Sequence, residues 1–121
     1  MEDTLTELKE AGLGSIPGGG AEIFAKRVRR KICGEKITGE EWLDVHEAVH
    51  NAGLKSNATM LYGHLETVEE RVDHLIRLRE LQSRTGGFLT FIPLAFHPEN
   101  TKLDFLPTTS GNLDLRALAV S

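Results

Sequence analysis

Residues 55–96 read KSNATMLYGHLETVEERVDHLIRLRELQSRTGGFLTFIPLAF, and the change of pattern along them decides the fold class. Lys55 to Tyr62 reads as a strand. From Glu66 to Thr85 the pattern is helical: Leu65, Val68, Val72, Leu75, Ile76 and Leu81 form an apolar stripe. Asp73 and Arg77 make an i,i+4 ion pair outside that stripe. Gly86-Gly87 terminates the helix, and Phe88 to Phe96 follows as a near-continuous apolar run. Such a run is expected of a strand buried on both faces. Strand, crossover-length helix, strand implies parallel pairing through a right-handed connection.

The same alternation continues outward. Thr38 is placed to cap a helix, with Glu41 three residues on completing a capping box. Trp42, Val45, Val49 and Ala52 share one face of that helix, and Gly53 ends it. Further upstream, Thr4 to Ala11 reads as a helix stopped by Gly12. Leu13 to Pro17 reads as a short strand before Gly18-Gly19-Gly20. Ala21 to Cys33 reads as a basic helix with Arg27, Arg29, Arg30 and Lys31 outward. Downstream, the loop His97 to Asn112 leads into a helix over Leu113 to Val120. The fold expected is α/β: a partial (β/α) TIM-type barrel of about three parallel strands with flanking helices. Residues 1–121 are then one central piece of such a barrel, with both termini inside elements. Polar residues follow each strand: Glu22, then His64 and Glu66, then His97, Glu99 and Asn100. In parallel α/β folds this carboxyl-end rim binds ligands.

Composition narrows the function classes. A chain of 121 residues with net charge −4 makes one modest domain with no pull toward nucleic acid or membrane surfaces. The longest apolar stretch is too short for a bilayer span and contains Pro93. Glu2 and Asp3 do not open a secretory signal. A cytoplasmic protein acting on a small-molecule substrate is the expectation, with self-association through free strand edges. The single cysteine, Cys33, allows no internal disulfide and cannot hold an iron–sulfur cluster.

His46-Glu47-Ala48-Val49-His50 is a literal H-E-x-x-H. A zinc hydrolase would use the histidines as ligands and Glu47 as base, with Glu66, Glu69 or Glu70 completing the set. The string lies on a crossover helix, away from the rim, so no metal site is expected. Gly18-Gly19-Gly20 sits between strand and helix, where backbone can approach a ligand. Glu22 adds a carboxylate suited to ribose hydroxyls or an ammonium group. Glu66 reads equally as a first-turn carboxylate complementing the helix dipole. Cys33 reads as an inert thiol despite its basic neighbours.

Longer blocks carry a resemblance. Ser15-Ile16-Pro17-Gly18-Gly19-Gly20-Ala21-Glu22-Ile23 resembles the fourth-strand segment of the radical S-adenosylmethionine enzymes of menaquinone and deazaflavin biosynthesis. Asn57 to Thr67 resembles their fifth strand and Phe91 to Thr101 their sixth, with Arg77 to Gln82 and Gly86 to Phe88 in matching order. Within that group, Leu94-Ala95-Phe96-His97 and Trp42 to His46 are most similar to the aminofutalosine synthases; the cyclic dehypoxanthinyl futalosine synthases are the neighbouring alternative. The resemblance implies S-adenosylmethionine and a 4Fe-4S cluster as cofactors. It implies cofactor contacts at Gly19, Gly20, Glu22, Thr59, Glu66 and Ile92, and substrate contacts at Tyr62, His64 and His97. It points to no catalytic residue. Thr59 stands where the family's G-x-I-x-G-x-x-E element has its first glycine. The cluster motif C-x-x-x-C-x-x-C is absent from this chain, so radical chemistry is not expected of it alone. A non-catalytic remnant is the remaining alternative.

Overall fold

The computed structural model describes residues 1–121. In chain order it contains α1 (Glu2–Glu10), β1 (Ser15–Ile16), α2 (Lys26–Cys33), α3 (Gly39–Asn51), β2 (Lys55–Tyr62), α4 (Val68–Thr85), β3 (Phe88–Ala95) and α5 (Gly111–Val120). The three strands form one parallel sheet in the order β1-β2-β3. Ser15 pairs with Lys55, and Tyr62 with Ala95. Three residues of β2, Ser56 to Ala58, span four of β3, Phe88 to Phe91, so β3 bulges once.

Helices cover one face of this sheet. Ser56, Ala58, Met60 and Tyr62 alternate inward along β2 and are buried. Ala58 packs with Phe24, Trp42 and Leu78. Met60 and Tyr62 pack with Ile23, Val28 and Ala117. The other face of β2, with Asn57, Thr59 and Leu61, stays half-open. Helices on one face and an open other face make this part of a (β/α) barrel, as expected.

Both long crossover helices start as their sequences dictate. Thr38 with Glu41, and Thr67 with Glu70, each form a reciprocal capping box. Gly86, in the left-handed region at φ 62°, ends α4.

Four expectations need correction. β3 is not buried on both faces: Leu89, Ile92 and Leu94 are 63%, 41% and 47% exposed. It has a partner strand on one edge only and helices on one side only. The apolar stripe of α4 is also displaced. His74, Leu78 and Leu81 are its buried residues, whereas Val68, Val72 and Ile76 are exposed. A histidine occupies a core position, so the apolar letters alone point to the wrong face. The helix expected from Ala21 begins at Lys26. Residues 21–24 instead run beside β2, with Leu61 N–H donating to Glu22 O at 2.7 Å. Arg29, expected outward, is 4% exposed. Its guanidinium turns inward because the extended segment leaves carbonyls that need donors.

Candidate active-site cleft

The carboxyl end of β1 is built from backbone held by side chains. Thr59 Oγ1 donates to Gly18 O at 2.6 Å, Trp42 Nε1–H to Gly19 O at 3.1 Å, and Arg29 Nη2 to Gly20 O at 2.9 Å. Arg29 also reaches the carbonyls of Ala21, Ile23 and Ile37. A Cβ at Gly18 would overlap the Asn57 carbonyl, so glycine is required there for the close approach to β2. Gly20 at φ 83° and Glu22 at φ 45° then turn the chain through left-handed backbone. For a glutamate that conformation costs on the order of 1 kcal/mol, so the fixed carbonyls around it must hold it.

The turn delivers Glu22 to a cavity of about 420 Å³ at the sheet's carboxyl end. Leu61, Phe96 and Leu103 supply its apolar wall, and Lys31, Lys36 and Lys102 its cations. Lys36 Nζ lies 3.3 Å from Glu22 Oε1, and both side chains are partly exposed. Thr59 and Ile92 are register partners on the neighbouring open face. The structure therefore gathers Gly19, Gly20, Glu22, Thr59 and Ile92 around the end of β1 and the open face beside it. His74 joins the two walls from behind. Phe24 N–H donates to its Nδ1 at 3.2 Å, and its Nε2–H donates to Thr59 O at 2.8 Å.

The β2–α4 turn is different. Glu66, 1% exposed in its side chain, accepts from the N–H groups of Gly63 and His64 and from the Arg71 guanidinium. Its carboxylate shapes the turn and does not line the cavity beside Glu22. His64 is fully enclosed. Its Nε2–H donates to Leu61 O at 2.7 Å, while Nδ1 lies 3.5 Å from Glu66 Oε1 without a hydrogen bond. It too faces protein rather than the cleft. Tyr62 sits on the helix-covered face, where its hydroxyl donates to Asp114 Oδ1 at 2.7 Å. Burial, then the bond to Asp114, pushes its hydroxyl up to about 12. The alternation of β2 puts Tyr62 in phase with Met60, away from the open face where a substrate contact was expected. His97 is exposed on the rim; hydrogen bonds from Tyr62 and Thr109, and then nearby His97, hold the Asp114 carboxyl below its usual value.

The H-E-x-x-H string is inside the fold. His46 Nδ1 and His50 Nε2 each lie 2.8 Å from Ser56 Oγ, and His50 Nδ1 lies 2.7 Å from Thr85 Oγ1. Thr85 in turn donates to Leu81 O. One proton order satisfies the whole chain: His46 to Ser56, Ser56 to His50, His50 to Thr85, Thr85 to Leu81. His46 also stacks on Trp42 with ring centroids 3.7 Å apart. Both nitrogens of His50 are consumed, and Glu47 pairs with Arg84 at 3.2 Å. The residues of a zinc hydrolase are thus committed to joining α3, β2 and α4.

The chain has relatives among known proteins. The chain is 56% identical to the aminodeoxyfutalosine synthase of Thermus thermophilus over 98% of its own length and 33% of that enzyme's. The chain is homologous to a segment of aminodeoxyfutalosine synthase. It is also 42% identical to a 5-amino-6-(D-ribitylamino)uracil–L-tyrosine 4-hydroxyphenyl transferase of Methanosarcina mazei and 44% to one of Methanococcoides burtonii. These too are covered over only 33% and 36% of their lengths, so the chain spans about a third of each relative. No family model matches it. These relatives agree with the family resemblance read from the sequence, which implies S-adenosylmethionine and a 4Fe-4S cluster as cofactors. This chain cannot supply the cluster's ligands: Cys33 is its one cysteine, buried on α2, with burial pushing its thiol up. Glu22 gives the cleft a carboxylate, with Thr59 and Ile92 on the neighbouring open face, whereas the glycine at which a Cβ would collide, Gly18, is packed against the Asn57 carbonyl of β2.

Arg29, Trp42, Lys36 and His74 were not singled out as site residues by sequence. Trp42 and His74 lay within recognised helices, but nothing in their spacing shows that they hold backbone at the glycines and Thr59.

Proposed function

We propose that this chain is the cofactor-facing third of an aminodeoxyfutalosine synthase. In the complete protein it would help add the 5′-deoxyadenosyl group of S-adenosylmethionine to 3-[(1-carboxyvinyl)oxy]benzoate in menaquinone biosynthesis. The observation that carries this is the 56% identity to the Thermus enzyme, against 42–44% to the tyrosine transferases. S-Adenosylmethionine, when bound, supplies the adenosyl group to be transferred. Glu22 would accept hydrogen bonds from ribose hydroxyls or an ammonium group. Thr59 and Ile92 would offer an apolar and hydroxyl-lined wall, and the Gly18–Gly20 turn would let backbone come close. Phe96 and Leu103 would exclude water from one side of the cleft. No step can be assigned to a cluster on this chain, because its thiol set is missing; the rest of a longer protein must provide it.

The test is a segment exchange. Residues 1–121 replace the homologous third of the Thermus enzyme, and product is assayed after cluster reconstitution. Aminodeoxyfutalosine should form, and Glu22→Gln in the hybrid should lower turnover about tenfold or more, the scale of a lost charged hydrogen bond. A folded, cluster-bearing hybrid that makes none of this product would refute the assignment.

A further inference from the structure

Arg29 is a buried cation with no anion beside it. It is 4% exposed, and its hydrogen-bond partners are all carbonyls. Those bonds use four of the five guanidinium N–H groups, so one N–H on the part-buried Nη2 has no acceptor. A charge taken out of water in this way is costly until an opposite charge reaches it. The same residue forms one wall of a cavity of about 200 Å³ between α2 and the start of α3. Lys26, Arg30 and Lys36 line it as well, with Thr38 and Gly39, and no carboxylate does. The cavity lies apart from the cleft: Glu22, Leu61 and Phe96 do not line it, and Cys33 and Lys36 stand between the two.

The donors around the cavity are uncommitted. Lys26 and Arg30 are exposed and enter no ion pair. Lys36 gives one ammonium N–H to Glu22 and keeps two. The Gly39 N–H opens α3 and has no partner inside that helix. Thr38 Oγ1 accepts from the Glu41 N–H, which leaves its own proton to donate. The two acids of that first turn are held elsewhere: Glu41 caps the Thr38 N–H, and Glu40 pairs with Arg77. We propose that this cavity is a binding site for a phosphate-class oxyanion, closed on its inner side by Arg29. Tetrahedral oxygens accept from several directions at once, which suits donors arriving from α2, the connecting loop and α3. The volume falls below the range of about 300–1,000 Å³ usual for whole small-molecule ligands, so the group recognised is the anion itself. A bound dianion supplies Arg29 with the counter-charge that its own surroundings lack. This site is independent of the cofactor reading of the neighbouring cleft.

The test is a calorimetric titration of the 121-residue chain with inorganic phosphate at neutral pH and constant ionic strength. One phosphate per chain should bind, with a dissociation constant of about a millimolar or tighter. Arg30→Met should weaken it about tenfold or more, as for a lost charge-assisted hydrogen bond, and Lys26→Met should act in the same way. Both residues are exposed, so the urea midpoint of each variant without phosphate should stay at the parent value. Lys102→Met, in the cleft, should leave phosphate binding unchanged. Methyl phosphate separates the sources of the anion. Equal affinity shows that a phosphoryl group carried on a larger molecule is accepted, and a loss of affinity restricts the site to the free ion; either result supports the site. Phosphate binding that does not saturate at one per chain, or that Arg30→Met and Lys102→Met reduce alike, would overturn it.

Discussion

Arg29 shows how much one side chain carries here. Its sequence context, Lys26-Arg27-Val28-Arg29-Arg30-Lys31, reads as a solvated basic face, and four of those five cations do stay outside. Arg29 points inward with no carboxylate to meet it. Its guanidinium donates to four carbonyls, from Gly20, Ala21, Ile23 and Ile37, at 2.6 to 3.3 Å. The five fixed N–H groups of arginine can serve several acceptors at once; a lysine ammonium offers three donors from one point. Arg29→Met should therefore leave buried carbonyls without donors and cost about 3 kcal/mol or more. Arg29→Lys should recover less than half of that. Urea denaturation reads both, and a lysine variant as stable as the parent would show that the fork geometry is irrelevant. The reason this was illegible is local: which of several arginines turns inward depends on where the unpaired carbonyls of a distant turn lie. Glu22 was legible because its position after three glycines at a strand end is itself the signal.

At the scale of elements, the helices are joined to β2 by histidines rather than by apolar contacts alone. His46 and His50 tie α3 to Ser56 and Thr85, and His74 ties α4 to Thr59 and Phe24. His50 and His74 each accept at one ring nitrogen and donate from the other, so their joints require a neutral ring, while burial disfavours the charged form of His46. Burial pushes both His46 and His74 down to about 4 from their ordinary 6.5, and burial with nearby Lys55 lowers His50. The sign follows. Between about pH 6.5 and 4 the unfolded chain binds protons at these rings that the folded chain refuses, so stability is complete above pH 6.5 and falls as pH drops toward 4. Below about 4 the folded rings titrate too, and their contribution is gone. For His46 and His74 the loss is on the order of 2 kcal/mol each. Denaturant midpoints at pH 7 and pH 4.5 measure it, and His74→Gln should flatten the profile between them. A midpoint that does not move over this range would mean that the rings are not held neutral. The boundaries of β2 and the capping box of α3 were readable from residue type and spacing, since those signals are local. The buried face of α4 was not, because the histidine at its centre looks polar until its two backbone partners are known.

For the whole molecule, the decisive property is what the sheet leaves uncovered. Helices shield one face, and the other shows Ile92 and Leu94 from β3 with Thr59 and Leu61 from β2 only half-buried. Elsewhere on the surface Leu89, Phe105, Leu115, Leu118 and Val120 are 59–71% exposed. In the relatives, two thirds of the protein lie beyond the segment this chain matches, so an uncovered sheet face and edge are what a third of such a protein presents. A parallel strand with free N–H and carbonyl groups on one edge pairs with whatever strand meets it. Apolar side chains beside that edge favour a second copy of the chain over water. The 121-residue chain should accordingly self-associate, with an apparent mass by sedimentation that rises with concentration. A charged substitution on the exposed strand, Leu94→Lys, should shift that equilibrium toward monomer without lowering the denaturation midpoint, since Leu94 is 47% exposed and supports no core contact. Leu81→Lys at a fully buried position should instead unfold the chain, which separates surface effects from loss of fold. A parent chain that stays monomeric across the concentration range would show that α5 and the 97–110 loop protect the edge well enough for this segment to stand alone.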